Sequence, residues 1–210
     1  MPDLKQPPPA SPSKAEVSSS RLVLELEGVL ELSDDDLLRL SSKNDHLQFE
    51  QDAYGNLVIM APAGGTTSNR NIRLTTKVSN WNDDASLGVV FGPDGGFKLP
   101  NGATRAPDVS WIPSERWEAL SDEEREKFPP LCPDFACELR SASDSLAPLR
   151  DKMDEYMNNG CRLGWLIDPF EEQAFVYEPD AELRHVDSFE STLSGGDVLP
   201  GFKLALDALR

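Results

Sequence analysis

Short apolar runs, each bounded by Gly, Pro, Asn or Asp, dominate this chain from His46 onward. Such runs read as strands. Residues 46–50 and 56–60 flank Tyr54-Gly55-Asn56 and predict a hairpin. Gly88–Phe91 and 96–99 flank Pro93-Asp94-Gly95 and predict a second hairpin. Residues 106–112 and 134–141 read as single strands, and Leu163–Asp168, 173–178 and 183–188 as three in succession. Leu199-Pro200-Gly201 supplies a turn before the closing segment. A helical period marks other stretches. Ser33 begins a short helix over 33–40, with acids in its first turn. After a Gly-containing loop at 62–67, residues 68–81 place Leu74, Val78 and Trp81 at i, i+4 and i+7 as a buried stripe. Residues 113–128 carry a strongly charged helical pattern that Pro129-Pro130 ends. Leu146–Asn158 is a helix that Asn159-Gly160 stops. Interleaved strands and helices predict an α/β fold, a mixed central β-sheet flanked by helices.

Composition changes this picture at one end and limits the rest. Residues 1–20 are rich in Pro and Ser and poor in large apolar groups, which predicts a disordered leader before a single domain at 21–210. No run approaches the roughly eighteen apolar residues of a membrane helix, and the N-terminus has no secretory apolar region. The expected setting is the cytoplasm, away from membranes. Cys132, Cys137 and Cys161 are odd in number and lack zinc-knuckle spacing, so they read as buried free thiols. The net charge of −17, from 20 Lys and Arg against 37 Asp and Glu, excludes a nonspecific nucleic-acid coat protein. It leaves room for chemistry that joins local cations to acidic metal ligands. Arg70, Arg73 and Lys77 recur at i, i+3 and i+7, either as a solvated basic edge or as a phosphate contact.

The candidate chemistry lies on two strands. Side chains alternate faces along a strand, so Phe135, Cys137 and Leu139 share one face while Ala136, Glu138 and Arg140 share the other. Val109 and Trp111 likewise oppose Asp108 and Ser110. Adjacent strands lie about 4.8 Å apart, so Asp108 and Glu138 on matching faces share one divalent ion. The plainer reading is two exposed strand-end acids. Asp134 is the weaker partner for Glu138, because four strand residues span about 13 Å. A cation is also needed beside the acids. Arg140 holds charge but hardly deprotonates water. Lys152 sits on the following helix beside Leu149, Met153 and Tyr156; it either reaches the acids or pairs with Glu155 at the surface. Gly92-Pro-Asp-Gly-Gly-Phe-Lys98 lacks phosphate-loop spacing, and no histidine lies near Ser141, Ser143 or Ser145.

The order Pro107-Asp108, then Glu138-Leu139-Arg140, then a helical lysine resembles the PD-(D/E)xK nuclease superfamily. More closely, the chain is similar to the Uma2 family of restriction-type endonucleases. The carrying segments are Arg105-Ala-Pro-Asp-Val-Ser-Trp111, Pro133-Asp-Phe-Ala-Cys-Glu-Leu-Arg-Ser141, Ser143-Asp-Ser145, Lys152-Met-Asp-Glu-Tyr156, Gly160 and Leu163-Gly-Trp-Leu-Ile-Asp-Pro169. The resemblance runs over residues 45–205. It implies a restriction-endonuclease-like core with N-terminal β-hairpins. It also implies an endonuclease acting on phosphodiester bonds of nucleic acid, DNA in particular. Mg²⁺, with Mn²⁺ as substitute, would be held by Asp108, Glu138 and the backbone carbonyl of Leu139.

The resemblance favours Lys152 over Arg140 for positioning the attacking water and leaves Arg140 to steady phosphate. It also implies an acid from the N-terminal side, for which Glu50 is the candidate; the alternative for Glu50 is an exposed strand end. Two features depart from the pattern. Thr66-Thr-Ser-Asn-Arg70 brings no helical glutamate, which favours a single Mg²⁺, and Arg140 stands where a lysine is usual. A homodimer would suit cutting two strands. The rival reading is a binding or assembly module that keeps the fold without its chemistry, motivated by the −17 charge and the missing glutamate.

Overall fold

A computed structural model describes residues 21–210; the leader expected over 1–20 lies outside the described residues. The chain opens with β1 (Arg21–Leu24), α1 (Asp34–Lys43), β2 (Gln48–Gln51), β3 (Leu57–Met60) and α2 (Gly65–Ala85). Next come β4 (Gly88–Phe91), β5 (Phe97–Lys98), β6 (Thr104–Arg105), β7 (Val109–Pro113), α3 (Ser114–Glu118) and α4 (Asp122–Glu126). Then follow β8 (Phe135–Leu139), α5 (Leu146–Asn158), β9 (Leu163–Asp168), β10 (Gln173–Tyr177) and β11 (Arg184–Val186). Strands β12 (Thr192–Ser194) and β13 (Lys203–Ala205) and a 3₁₀ turn at Leu206–Leu209 close it.

The central sheet has six strands in the order β11-β10-β9-β8-β7-β4. Only β8 and β9 in it run parallel, so the sheet is mixed, as the interleaved pattern predicts. Parallel neighbours need a crossover, and α5 provides it. Met153 and Tyr156 of α5 cover one face with Ala136, Leu166, Phe175 and Tyr177. Leu74 and Val78 of α2 cover the other with Phe135, Cys137, Leu139, Trp165 and Ile167. Every position of β8 is therefore buried, not only its apolar face. A second, five-stranded sheet, β1-β3-β2-β6-β5, carries the N-terminal hairpin. No helix among the described residues is long and apolar enough to cross a membrane.

Local chemistry explains most boundaries. Ser33 and Asp36 form a reciprocal capping box at the start of α1. Pro148 falls in the first turn of α5, where a missing N–H costs nothing, and Gly160 ends the turn after it with φ +98°. Helix α2 begins three residues earlier than its apolar stripe predicts and ends at Ser86 in the left-handed region. The closing strands β12 and β13 and the edge strand β1 had no expectation behind them.

Three expectations are corrected. Gly88–Phe91 and 96–99 do not form a hairpin: β4 pairs with β7 and β5 with β6, in different sheets. Asn82 of α2 fixes this choice, since its Nδ2 donates to the Gly88 carbonyl and its Oδ1 accepts from Trp111 Nε1 on β7. The charged stretch 113–128 is two short helices, because Ser121 starts a new capping box with Glu124. The strand expected over 106–112 begins only at Val109. Pro107 has no N–H, and the Asp108 side chain accepts the Leu139 N–H in place of a main-chain carbonyl.

The β4–β7 pairing is close. A Cβ on Gly88 would lie 2.2 Å from the Ile112 carbonyl oxygen and 2.5 Å from the Trp111 ring. Gly88→Ala is therefore expected to destabilise the fold by about 1–3 kcal/mol. A urea unfolding curve checks this; a midpoint equal to the parent's would mean that β4 does not pack here.

Candidate active site

Lys152 lies on α5 one residue from Met153 and four from Tyr156, both fully buried. That position turns its stem against the sheet, and its side chain is only 12% exposed. The ammonium does not pair with Glu155. Its Nζ lies 2.8 Å from Glu50 Oε1 and 2.9 Å from Glu138 Oε1, and donates to the Ala106 carbonyl at 3.3 Å. Glu155 instead takes Arg105 Nε and, at 2.9 Å, Asn101 Nδ2.

Glu50 is 2% exposed, so it is no solvated strand end. The Gln51–Thr104 pair sets β2 beside β6, which brings Arg105 to Glu50. Arg105 Nη1 reaches Glu50 Oε2 at 3.1 Å, and the Ala106 N–H donates to Glu50 Oε1 at 3.0 Å. Glu138, next to last in β8, also accepts a hydrogen bond from the Tyr156 hydroxyl at 2.9 Å. Glu50, Glu138 and Lys152, separated widely in sequence, thus make one buried cluster.

Asp108 joins it from the end of the sheet. The Val109–Cys137 pair extends to set Asp108 opposite Glu138. Its Oδ2 accepts the Leu139 N–H at 2.7 Å, and its Oδ1 accepts Asn71 Nδ2 of α2 at 2.8 Å. Arg140 points elsewhere: Nη1 bonds Asp168 Oδ2 at 2.8 Å and Nε bonds the Asp144 carbonyl at 3.0 Å. Asp134, buried just before β8, is held by Arg116 and Arg162. Arg70 and Arg73 donate to the Leu209 and Ala208 carbonyls.

The sequence reading missed Asn71, Arg105, Glu155 and Tyr156 as site residues. Asn71 had a usable signal, a polar residue at i−3 from Leu74 on the buried stripe. Arg105 and Tyr156 had none, since each depends on contacts far along the chain.

The electrostatics follow from one ammonium serving two carboxylates. Burial raises Glu50, but Lys152, Arg105 and the Ala106 N–H outweigh it and hold the carboxyl at about 2. Burial also raises Glu138; Lys152 opposes this, while the negative charges of Asp108 and Glu50 add to it, and the carboxyl sits at about 7. Burial raises Asp108 as well, against the Leu139 N–H and Lys152. Burial lowers Lys152, but Glu138 and Glu50 overcome it and keep the ammonium charged. Burial keeps the Tyr156 hydroxyl protonated and able to donate.

The cluster fits a hard divalent cation. Four carboxylates, Glu50, Asp108, Glu138 and Glu155, face two cations, Lys152 and Arg105. Two negative charges are left in excess, which adds to the effect of burial in raising Glu138. The available donors are oxygens, and Asn71 Oδ1 beside Asp108 is buried without a partner. Among the described residues no three His, Cys, Asp or Glu side chains are grouped to hold a metal. A cation there would rest on one or two carboxylates and complete its shell with water.

A family described as "Uma2: Putative restriction endonuclease" matches residues 34–207, and the chain belongs to that family. A crystal structure of a "putative nuclease belonging to DUF820" from Anabaena variabilis ATCC 29413 shares the fold, with a TM-score of 0.69. It is 18% identical, and the match covers 85% of this chain and 97% of that one. No curated protein matches the chain in sequence.

The two glutamates predict opposite pH effects. Folding raises Glu138 from 4.5 to about 7, so its contribution is complete below pH 4.5 and is lost as pH rises through about 7. Folding lowers Glu50 from 4.5 to about 2, so its contribution is present above pH 4.5 and is lost as pH falls toward about 2. In chelator, urea midpoints are expected to decline from about pH 5 to about pH 8. Glu138→Gln should flatten that decline; an unchanged profile would show that Glu138 does not carry it.

Proposed function

We propose that this chain is a metal-dependent endonuclease that hydrolyses phosphodiester bonds, with DNA as its substrate. The observation that carries the reading is the Lys152 ammonium set between Glu50 and Glu138, with Asp108 on the neighbouring strand. Asp108 and Glu138, with the Leu139 carbonyl, would hold Mg²⁺ or Mn²⁺. The bound ion would supply Lewis-acid polarisation of a phosphate oxygen and a more acidic water.

The chain's own groups do the rest. Lys152 stays protonated, so it donates to a water or a phosphate oxygen and offsets developing charge rather than taking a proton. Glu50 and the Ala106 carbonyl fix where that ammonium points. Asn71 and the Leu139 N–H hold both oxygens of Asp108 in one orientation. Tyr156 orients Glu138 and fills the space beneath it, keeping bulk water from that side.

A second reading, a binding module that retains the fold, is favoured by one observation. Each oxygen of Asp108 and Oε1 of Glu138 already has a protein donor, so the cluster satisfies itself. Plasmid nicking in Mg²⁺ or Mn²⁺ separates the two. Wild type is expected to cut, with Asp108→Asn, Glu138→Gln and Lys152→Ala each slower by about 100-fold or more. Circular dichroism confirms that the variants fold. Equal cutting by all four removes these residues from the mechanism; no cutting and no calorimetric heat with either ion supports the binding module.

A further inference from the structure

Two arginines flank Asp108 in the chain's own wiring. Arg70 precedes Asn71, whose amide holds Asp108 Oδ1, and Arg140 follows Leu139, whose N–H holds Asp108 Oδ2. Both guanidiniums converge on one ring: Arg70 lies 5.5 Å and Arg140 5.6 Å from the centre of Phe170. Phe170 is 45% exposed, at the tip of the β9–β10 turn.

This turn is rigid. Asp168, fully buried, accepts the N–H groups of Phe170 and Glu171 at 3.0 and 3.3 Å on one oxygen. Its other oxygen takes Arg140 Nη1 and Gln173 Nε2. The backbone that carries the ring is therefore held by Asp168, and both guanidiniums lie within cation–π reach of the ring. Each keeps donors in reserve. Arg70 uses only Nε, to the Leu209 carbonyl, and Arg140 uses Nε and Nη1. Among the described residues no partner meets Arg70 Nη1 and Nη2 or Arg140 Nη2. Asp168 offsets the charge of Arg140, while among the described residues no ion pair joins Arg70 to a carboxylate. The Asp144 carboxylate is turned to the Ser141 N–H.

We infer that Arg70, Phe170 and Arg140 form a preorganised clamp for the phosphate backbone of nucleic acid, beside the Asp108 site. The inference rests on the nuclease reading above for the identity of the ligand. Guanidinium N–H groups match phosphate oxygens, and holding them on an aromatic ring removes the rotamer entropy that binding would otherwise lose. The clamp also answers a problem set by the −17 net charge, since it gathers two guanidiniums on one exposed ring next in sequence to the residues that hold Asp108. Arg73, bonded to the Ala208 carbonyl, extends the same positive edge along α2.

The test measures binding of fluorescent single- and double-stranded oligonucleotides to the full chain in Ca²⁺, across a salt series. Arg140 is left intact, because its loss would strand buried Asp168. Arg70→Gln keeps a donor for the Leu209 carbonyl and removes the charge. It is expected to reduce the slope of log affinity against log salt by about 1. Phe170→Ala keeps every charge but frees both guanidiniums, and should weaken binding roughly three- to tenfold. Lys43→Gln, an equal loss of charge on the separate helix α1, should leave affinity and slope near the parent's. Parent-like slope in Arg70→Gln together with parent-like affinity in Phe170→Ala would overturn the clamp, as would a wild type that binds neither oligonucleotide. Calorimetry with Mg²⁺ on the same variants tells this failure apart from failure of the metal site, because the clamp variants should bind the ion as wild type does.

Discussion

Everything at the proposed site depends on a buried ammonium. Lys152 carries its charge between two carboxylates from different sheets, Glu50 on β2 and Glu138 on β8. An isolated ammonium in this position would lose its charge or unfold the region. With both acids present it stays charged, and it ties the five-stranded sheet to the central one through α5. Such a buried network is a weak source of net stability, since desolvation offsets much of its attraction. Its consequence is specificity of arrangement: β2, β8 and α5 have one relative placement in which Lys152 meets both glutamates. Arg105 repeats the logic one layer out, bridging Glu50 to Glu155 on the same helix.

The same bookkeeping of charge sets the two glutamates apart. One ammonium neutralises one carboxylate. Glu50, with Arg105 and a main-chain N–H beside Lys152, takes the larger share and is held ionised at about 2. Glu138 is left with less compensation and sits at about 7. A carboxyl poised there, with a second acid raised by burial on the next strand, is a place where a proton or a divalent cation is wanted. The acidic overall composition is a separate matter, because interactions between exposed charges are screened beyond roughly 8–10 Å in physiological salt while those inside the site are not.

The order of strands and helices was legible because it rests on local signals. Ser33 with Asp36, the Leu74–Val78 stripe and Asn159-Gly160 each act within a few residues. The Gly88–Phe91 hairpin was misread for the opposite reason: Pro93-Asp94-Gly95 makes a sound turn, but Asn82 and Trp111 decide the partner from far away in the chain. The site shows the same division. Asp108 and Glu138 were readable from alternation on two strands. Lys152 needed the family resemblance to choose it over Arg140 and over a surface pair with Glu155. Arg105 required coordinates, because a residue's polarity does not reveal which distant carboxylate it will meet.

The two departures from the superfamily pattern become one argument when placed in the structure. With the site's ammonium supplied from α5, position 140 on the strand is released from holding Glu138. A lysine there would give one point charge; arginine has a planar fork that can bind Asp168, the Asp144 carbonyl and the face of Phe170 together. On α2, the absent glutamate leaves Asn71, a neutral residue that donates to Asp108 instead of repelling it. A glutamate at that point would add a fourth acid around Lys152 in a cluster that already has two negative charges uncompensated. Asn71 thus fixes Asp108 without asking for a second cation, and its immediate neighbour Arg70 is free to turn outward to the ring that Arg140 shares. A lysine on the helix and a neutral amide beside Asp108 thus distribute charge inward at Lys152 and outward at Phe170.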